Sequence, residues 1–195
     1  MPQIQGLGPK ENTLYEMFFN RAKQQPDSTF IWTKKENEWK SHSWGQIASQ
    51  VQIIASALTQ RGITAGARVA ILSENRVEWI ITDLAIMSIG AISVPLFTTY
   101  TQTDINYLLS HSGARAIICS NSELTAIAET AAQDSPDCYL MVIMEQSKLL
   151  HHSHNLAIVN WEDLIKEGER ASSNTMISSL PMSVDDVCCI IYTSD

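Results

Sequence analysis

The stretch from Arg68 to Phe97 reads RVAILSENRVEWIITDLAIMSIGAISVPLF, and it decides the fold. It opens with a short apolar run at 69–72, which has the length of a buried strand. A helix is predicted over 76–89, and its apolar residues occupy almost the whole circumference, as in helices buried on all sides. Residues 92–94 are predicted to form a second strand that stops at Pro95. Together these elements make a βαβ unit, whose crossover should be right-handed.

Local signals mark the ends of this helix. Asn75 is predicted to cap it, and Glu78 is placed to complete a capping box. Gly90 suits the left-handed residue just past a helix end. We interpret Arg76 as the partner of a carboxylate and Trp79 as a packing residue, in preference to catalytic roles.

The remainder of the chain alternates helices and strands around this unit. Before this unit, the predicted elements are a helix capped by Thr13 and Glu16, a hairpin of 30–32 and 38–40, and a helix capped by Ser43 and running to about 61. After it, they are a helix starting at 103 or 104, a strand at 116–119, a helix at 124–132, a strand at 139–144, a short helix capped by Asn160, and a strand at 187–192. Residues 146–155 are predicted to be a loop and 168–183 a connector. The pattern predicts an α/β fold with a mostly parallel sheet and flanking helices, plus a small N-terminal helix and β-hairpin.

The composition excludes some classes of function. The net charge is −8, which argues against nonspecific nucleic-acid binding, because that needs a basic surface. Residues 1–12 contain no apolar core, so no signal peptide is predicted. The apolar block at 79–97 is interrupted by Asp83, Gly90 and Pro95 and makes a poor membrane span. We expect a cytoplasmic protein, with peripheral binding to the inner face of a membrane left open.

The residues that bind metals or act as nucleophiles show no functional spacing. The four cysteines, Cys119, Cys138, Cys188 and Cys189, form no CxxC pair and are predicted to be buried free thiols. His151, His152 and His154 are interpreted as a solvated loop, since no carboxylate or cysteine accompanies them at metal-binding spacing. We therefore predict no metal site.

Two groups of residues are candidate binding sites. Ligands of α/β proteins bind at the carboxyl ends of the strands, which here are followed by 73–75 and 97–101. The predicted last strand leads directly into Thr193 and Ser194, as in the first half of a phosphate-binding loop. Asp195 follows where such a loop needs glycine.

The chain resembles the amino-terminal part of an adenylate-forming (AMP-binding) enzyme of the long-chain fatty acid–CoA ligase branch. Each matching segment is modest, whereas their order and spacing are specific. The segments are Asn12-Thr-Leu14, Arg21-Ala22, Ser43-Trp44, residues 68–76 with Glu78-Trp79, Gly90-Ala91, Val94-Pro95, residues 112–115, and Asp185-Asp-Val187 leading to 191–194. In the family, Tyr-Thr-Ser continues into Gly-Thr-Thr-Gly and then Pro-Lys-Gly, the loop that holds the ATP phosphates. The similarity covers nearly the whole chain, but only about the first third of such an enzyme.

The resemblance implies a two-step reaction. A fatty carboxylate attacks ATP, assisted by Mg²⁺, and coenzyme A then takes the acyl group from the acyl-adenylate. Thr193 and Ser194 match the start of the phosphate loop, and Phe97, Thr98 and Thr99 resemble a segment near coenzyme A. No catalytic residue is assigned.

The resemblance further implies a division of the chain and leaves alternatives open. Residues 1–11 are expected to be a loose tail, and 12–195 a partial AMP-binding domain, the first subdomain of the large N-terminal domain, truncated at the phosphate loop. Alone it is expected to be inactive. The alternatives are a free-standing α/β nucleotide-binding module and a regulatory or interaction module, and a homodimer is among the possible assemblies.

Overall fold

The computed structural model describes residues 13–145, 155–172 and 182–193. The expectations for the tail at 1–11, for the three clustered histidines and for Ser194 and Asp195 lie outside these residues. The helices of the described part are α1 (Leu14–Gln24), α2 (Trp44–Gln60), α3 (Val77–Ser88), α4 (Gln102–Ser112), α5 (Ser122–Gln133) and α6 (Trp161–Ser172). Its strands are β1 (Thr29–Lys35), β2 (Glu38–Ser43), β3 (Arg68–Leu72), β4 (Ile92–Leu96), β5 (Ala114–Cys119), β6 (Leu140–Ile143) and β7 (Ala157–Asn160).

The α/β architecture predicted from the sequence is confirmed. Five parallel strands form one sheet in the order β4-β3-β5-β6-β7, and β1 and β2 form a separate antiparallel hairpin. The strands β3 and β4 that flank α3 are neighbours, with Leu72 paired to Leu96. Since all five strands are parallel, their carboxyl ends lie at one edge, which we call the carboxyl edge of the sheet.

Helices cover both faces of the sheet. Along β3, Val69 and Ile71 belong to a core shared with α2, α3 and α6, while Ala70 and Leu72 belong to a core shared with α4 and α5. This alternation follows from the two-residue period of a strand. Burial on both faces explains why β3 is apolar throughout, as expected for the central strands of a parallel sheet.

Several caps match the sequence prediction. The Thr13 side chain accepts from the Glu16 N–H, and Ser43 forms a full capping box with Gln46. Gly90 has a φ of +68°, in the left-handed region, as predicted. The cap of α4 is Thr101, with Asp104 at the third helical position, so that helix starts slightly before the predicted residue.

The predicted cap of α3 is wrong. Arg76, not Asn75, is the N-cap residue, and it makes no side-chain capping hydrogen bond. The Glu78 carboxylate accepts from Arg76 Nε at 2.8 Å. A salt bridge to a guanidinium therefore replaces the capping box at this helix.

The segment after Val187 does not form the predicted strand. Within the described residues it makes an isolated parallel bridge, in which Ser93 N–H donates to Cys188 O at 3.0 Å and Ile190 N–H donates to Ser93 O at 2.9 Å. Pro95 lies inside β4, paired with Ile71, and does not end it as predicted. Because residues two apart point the same way, Pro95 is the next position facing this segment. It has no N–H to donate, so the pairing cannot continue.

Two further predictions are wrong near β7, the outer strand on the side of the sheet away from β4. The strand β7 was not predicted, because it is only four residues long and only Val159 in it is buried, so its apolar run is too short to stand out. Residue 168 does not begin a connector, since α6 runs through Gly168 to Ser172. The Cα of Gly168 packs against the carbonyl of Ile53 in α2, and only a residue without a side chain fits there.

The prediction of buried free thiols holds for two of the four cysteines. Cys119 and Cys138 are buried, and burial raises the pKa of Cys138 to about 12. Cys188 and Cys189 are exposed, because their segment pairs with β4 at one residue only.

In the part of the chain that the structure describes, no helix is long and apolar enough to cross a membrane.

Candidate functional site

The segment after β4 carries three predicted site residues. Phe97 is 63% exposed, Thr98 is half-buried and Thr99 is exposed. The Phe97 ring meets that of Tyr100 edge-on, with centroids 5.4 Å apart. The segment ends at Thr101, which caps α4, so this helix fixes its far end. An exposed aromatic ring beside two hydroxyls at the carboxyl edge is a surface that can receive a ligand.

Thr193 follows a segment that bridges to the same strand from its outer side. The bridge between Ser93 and Cys189 is parallel, so both chains leave it in the same direction. Thr193 is exposed, and the preceding Tyr192 is held by a 2.8 Å hydrogen bond between its hydroxyl and His111 Nδ1. One candidate segment therefore follows β4 directly, and the other follows a segment that bridges to β4 at Ser93. Ser194 lies outside the described residues.

A polar cluster, not predicted from the sequence, joins the loops that follow β3, β5 and β6. We call it the carboxyl-edge cluster, and its members are Glu74, Arg76, Glu78, Ser120, Asn121 and Glu145. The Glu74 carboxylate accepts from Ser120 Oγ and, at 2.5 Å, from Asn121 Nδ2. These bonds tie the loop after β3 to the loop after β5.

Arg76 links the remaining members of the cluster. Its Nη1 donates to Glu145 Oε1 at 3.2 Å and to the Ser120 carbonyl at 3.4 Å, while its Nε binds Glu78. The prediction that Arg76 pairs with a carboxylate is therefore confirmed. Trp79 packs against the core as a half-buried ring, also as predicted.

Hydrogen bonds and nearby charge lower the pKa of two carboxylates of the cluster, Glu74 and Glu78. The hydrogen bond from Ser120 is the main cause that lowers the pKa of Glu74. Burial opposes ionisation of Glu78, but the hydrogen bond from Arg76 and nearby charge outweigh it and lower its pKa. The salt bridge to Glu78 in turn raises the pKa of Arg76. Three carboxylates face one guanidinium, so the cluster repels phosphates and serves to hold the loops together.

The Glu74 contacts predict a pH-dependent contribution to stability. Replacing Glu74 by Gln should lower the free energy of unfolding at pH 7 by at most about 1 kcal/mol, because Glu74 is exposed and solvent screens its contacts. Since folding lowers this pKa, the contribution is present above the ordinary value of 4.5 and is lost as the pH falls below it. Urea unfolding of Glu74→Gln and of the control Glu129→Gln, at neutral and acidic pH, measures it. A deficit that persists in acid would contradict this assignment.

An apolar cavity of about 590 Å³ lies at the opposite edge of the sheet. Its lining includes Gly66, Gly90 and Ile92, at the amino ends of β3 and β4, together with Met87 and Val187. The cavity is therefore remote from the loops that follow β3 and β4. The sequence gives no signal for it, because its walls come from five separate segments.

The sequence does contain a signal for the carboxyl-edge cluster. Ser120 and Asn121 directly follow the predicted strand at 116–119, and Glu145 directly follows that at 139–144. Ligands of α/β proteins bind at the carboxyl ends of strands, so these residues qualify as site candidates just as those after β3 and β4 do.

Among the described residues, no three histidine, cysteine or carboxylate side chains converge as a metal site.

Comparison with known proteins identifies the class of this protein. Residues 18–194 match the family described as AMP-binding enzyme, and the chain belongs to that family. Fatty acyl-CoA synthetase A of Dictyostelium discoideum is 28% identical over 193 residues, covering 95% of this chain and 28% of that protein. Peroxisomal long chain acyl-CoA synthetase 7 of Arabidopsis thaliana is 25% identical over 195 residues, covering 95% of this chain and 27% of that protein.

Solved structures agree on the fold. Coronafacic acid ligase from Pectobacterium brasiliense superposes with a TM-score of 0.78 at 22% identity, covering 93% of this chain and 33% of that one. The chain covers 28% of the Dictyostelium synthetase and 27% of the Arabidopsis synthetase, so it spans less than a third of the length of each. It has the fold of the corresponding part of an adenylate-forming enzyme.

Proposed function

We propose that this chain forms the amino-terminal part of a long-chain fatty acid–CoA ligase. The reaction is the activation of a fatty acid by ATP to an acyl-adenylate, followed by transfer of the acyl group to coenzyme A. One observation carries the proposal: two long-chain or fatty acyl-CoA synthetases align with 95% of the chain.

In this proposal, the two candidate segments face different substrates. Thr193 and Ser194 begin the loop for the ATP phosphates, to which Thr193 brings an exposed hydroxyl. Phe97, Thr98 and Thr99 line the path of coenzyme A, to which Phe97 offers an exposed apolar ring. The carboxyl-edge cluster holds the loops after β3, β5 and β6 without contacting substrate.

Magnesium is assigned no ligand in this part of the enzyme. The described residues hold no cluster of metal-binding side chains. When bound, the metal expected in the reaction would neutralise phosphate charge.

A chimera tests the proposed function. Residues 13–193 of this chain replace the corresponding segment of the Dictyostelium synthetase, and thioester formation from palmitate, ATP, Mg²⁺ and coenzyme A is measured. We expect palmitoyl-CoA from the chimera and none above the blank from the isolated chain, which spans only 28% of that synthetase. A folded chimera that makes no thioester, or an isolated chain that turns over, would overturn the proposal.

A further inference from the structure

The β1–β2 hairpin presents two tryptophans to solvent on one face. Trp32 is 59% exposed and Trp39 is 63% exposed, although tryptophan is on average a highly buried residue. Trp32 pairs with Ser41 and Trp39 with Lys34. Since side chains alternate along a strand, these four residues share a face, which we call the tryptophan face. The Lys34 Nζ lies 6.0 Å from the centre of the Trp39 ring.

The opposite face attaches the hairpin to the protein. Ile31 packs against the core shared by α2 and α3. Within the hairpin, Thr33 Oγ1 lies 2.9 Å from His42 Nε2 on the same face. Phe30 sits where the strand register shifts, and its ring centre is 4.2 Å from that of Trp44. These inward contacts hold the hairpin, so packing within the chain does not account for the two exposed indoles.

The chemistry of the tryptophan face matches a lipid headgroup layer. Indole rings settle between headgroups and acyl chains, because they are apolar apart from one N–H donor. Of the four residues on this face, the only ionised one is Lys34, which can extend its ammonium group to lipid phosphates. Residues 29–43 carry three lysines and two glutamates, whereas the whole chain has a net charge of −8. The hairpin therefore carries one more basic than acidic side chain, so it is repelled less by an anionic surface than the acidic chain as a whole.

We propose that the tryptophan face binds the headgroup layer of an anionic bilayer, with Trp32 and Trp39 inserted and Lys34 paired with lipid phosphate. Pairing with a second copy of the chain is disfavoured, because a two-fold contact through this small face brings the two Lys34 ammonium groups together. The proposal does not depend on the ligase activity.

Vesicle binding by the full chain tests the proposal. Phosphatidylcholine vesicles with and without phosphatidylglycerol are sedimented with the chain, with the double variant Trp32→Ser/Trp39→Ser and with Lys34→Glu. The control is Tyr107→Ser on α4, because Tyr107 is 59% exposed but lies outside the hairpin. We expect the double variant to bind at least about tenfold more weakly than the parent, since two large apolar rings no longer leave water. Lys34→Glu should lose the preference for phosphatidylglycerol, and the control should bind like the parent.

A second readout locates the rings. Lipids with brominated acyl chains should quench tryptophan emission in the parent and much less in the double variant, and circular dichroism melts confirm that each variant is folded. Equal sedimentation of parent and double variant, or equal quenching in the two, would overturn the proposal. A concentration-dependent dimer that the double variant abolishes, without vesicle binding by the parent, would instead assign this face to a protein interface.

Discussion

A chimera that carries this chain through residue 195 should bind ATP about three orders of magnitude more weakly than the same chimera with Asp195→Gly. At about 4 Å and an effective dielectric constant of about 20, repulsion between the carboxylate and a phosphate charge costs about 4 kcal/mol. That free energy corresponds to nearly a thousandfold change in the dissociation constant. Isothermal titration with ATP measures it.

A third chimera separates the charge from the side chain. Asp195→Asn removes the charge but keeps the atoms that prevent close approach of the backbone to the phosphates. We expect affinities in the order Gly, Asn, Asp, with the larger step between Asn and Asp. If the Asp195 chimera binds ATP as well as the Gly chimera, Thr193 and Ser194 do not begin the phosphate loop.

Gly168→Ala should destabilise the chain by about 1–3 kcal/mol, as overpacked sites do. At an exposed helical position, the same change should stabilise by up to about 1 kcal/mol, because alanine is the better helix former. Here the added methyl group collides with the Ile53 carbonyl in α2, so the expected sign is reversed. The helices are also joined by Arg61 and Glu167, whose side chains form hydrogen bonds of 2.7 and 2.8 Å. They therefore cannot separate freely to admit the methyl group.

Urea unfolding measures the effect of Gly168→Ala. Gln133→Ala, at an exposed position of α5, is the control and should stay near the parent. Adding Ile53→Ala should not restore stability, since the collision involves the backbone of Ile53 as well as its side chain. A Gly168→Ala variant as stable as the parent would show that α6 does not pack as closely on α2 as described.

The sequence predicted the elements whose signals are local. The βαβ unit follows from the apolar runs around residues 69–97, and the caps by Thr13 and Ser43 follow from neighbouring residues. Most of the predictions that failed depend on distant partners, whereas the cap of α3 failed locally, since Glu78 binds Arg76 two positions away. Gly168 was predicted to begin a connector, and only its close packing against α2 explains a glycine inside a helix at this position.

Pro95 shows the same dependence on context. It resembles a strand end, yet it lies within β4, because β4 is an edge strand and its outer side needs no N–H. The same proline limits the segment after Val187 to one bridge with β4. The apolar composition of that segment therefore predicted a strand that does not form. In the carboxyl-edge cluster, Glu74 meets Ser120 from 46 positions away, a contact that only the order of the strands can bring about.

The most direct test of the central claim is palmitate-dependent exchange of labelled pyrophosphate into ATP by the chimera that contains residues 13–193. This reaction reports acyl-adenylate formation alone, so a defect in thioester formation cannot obscure it. If this chain is the amino-terminal part of a fatty acid–CoA ligase, exchange should require palmitate and Mg²⁺ and approach the rate of the parent synthetase. Exchange at the level of the palmitate-free blank, in a chimera that melts cooperatively, would contradict the account.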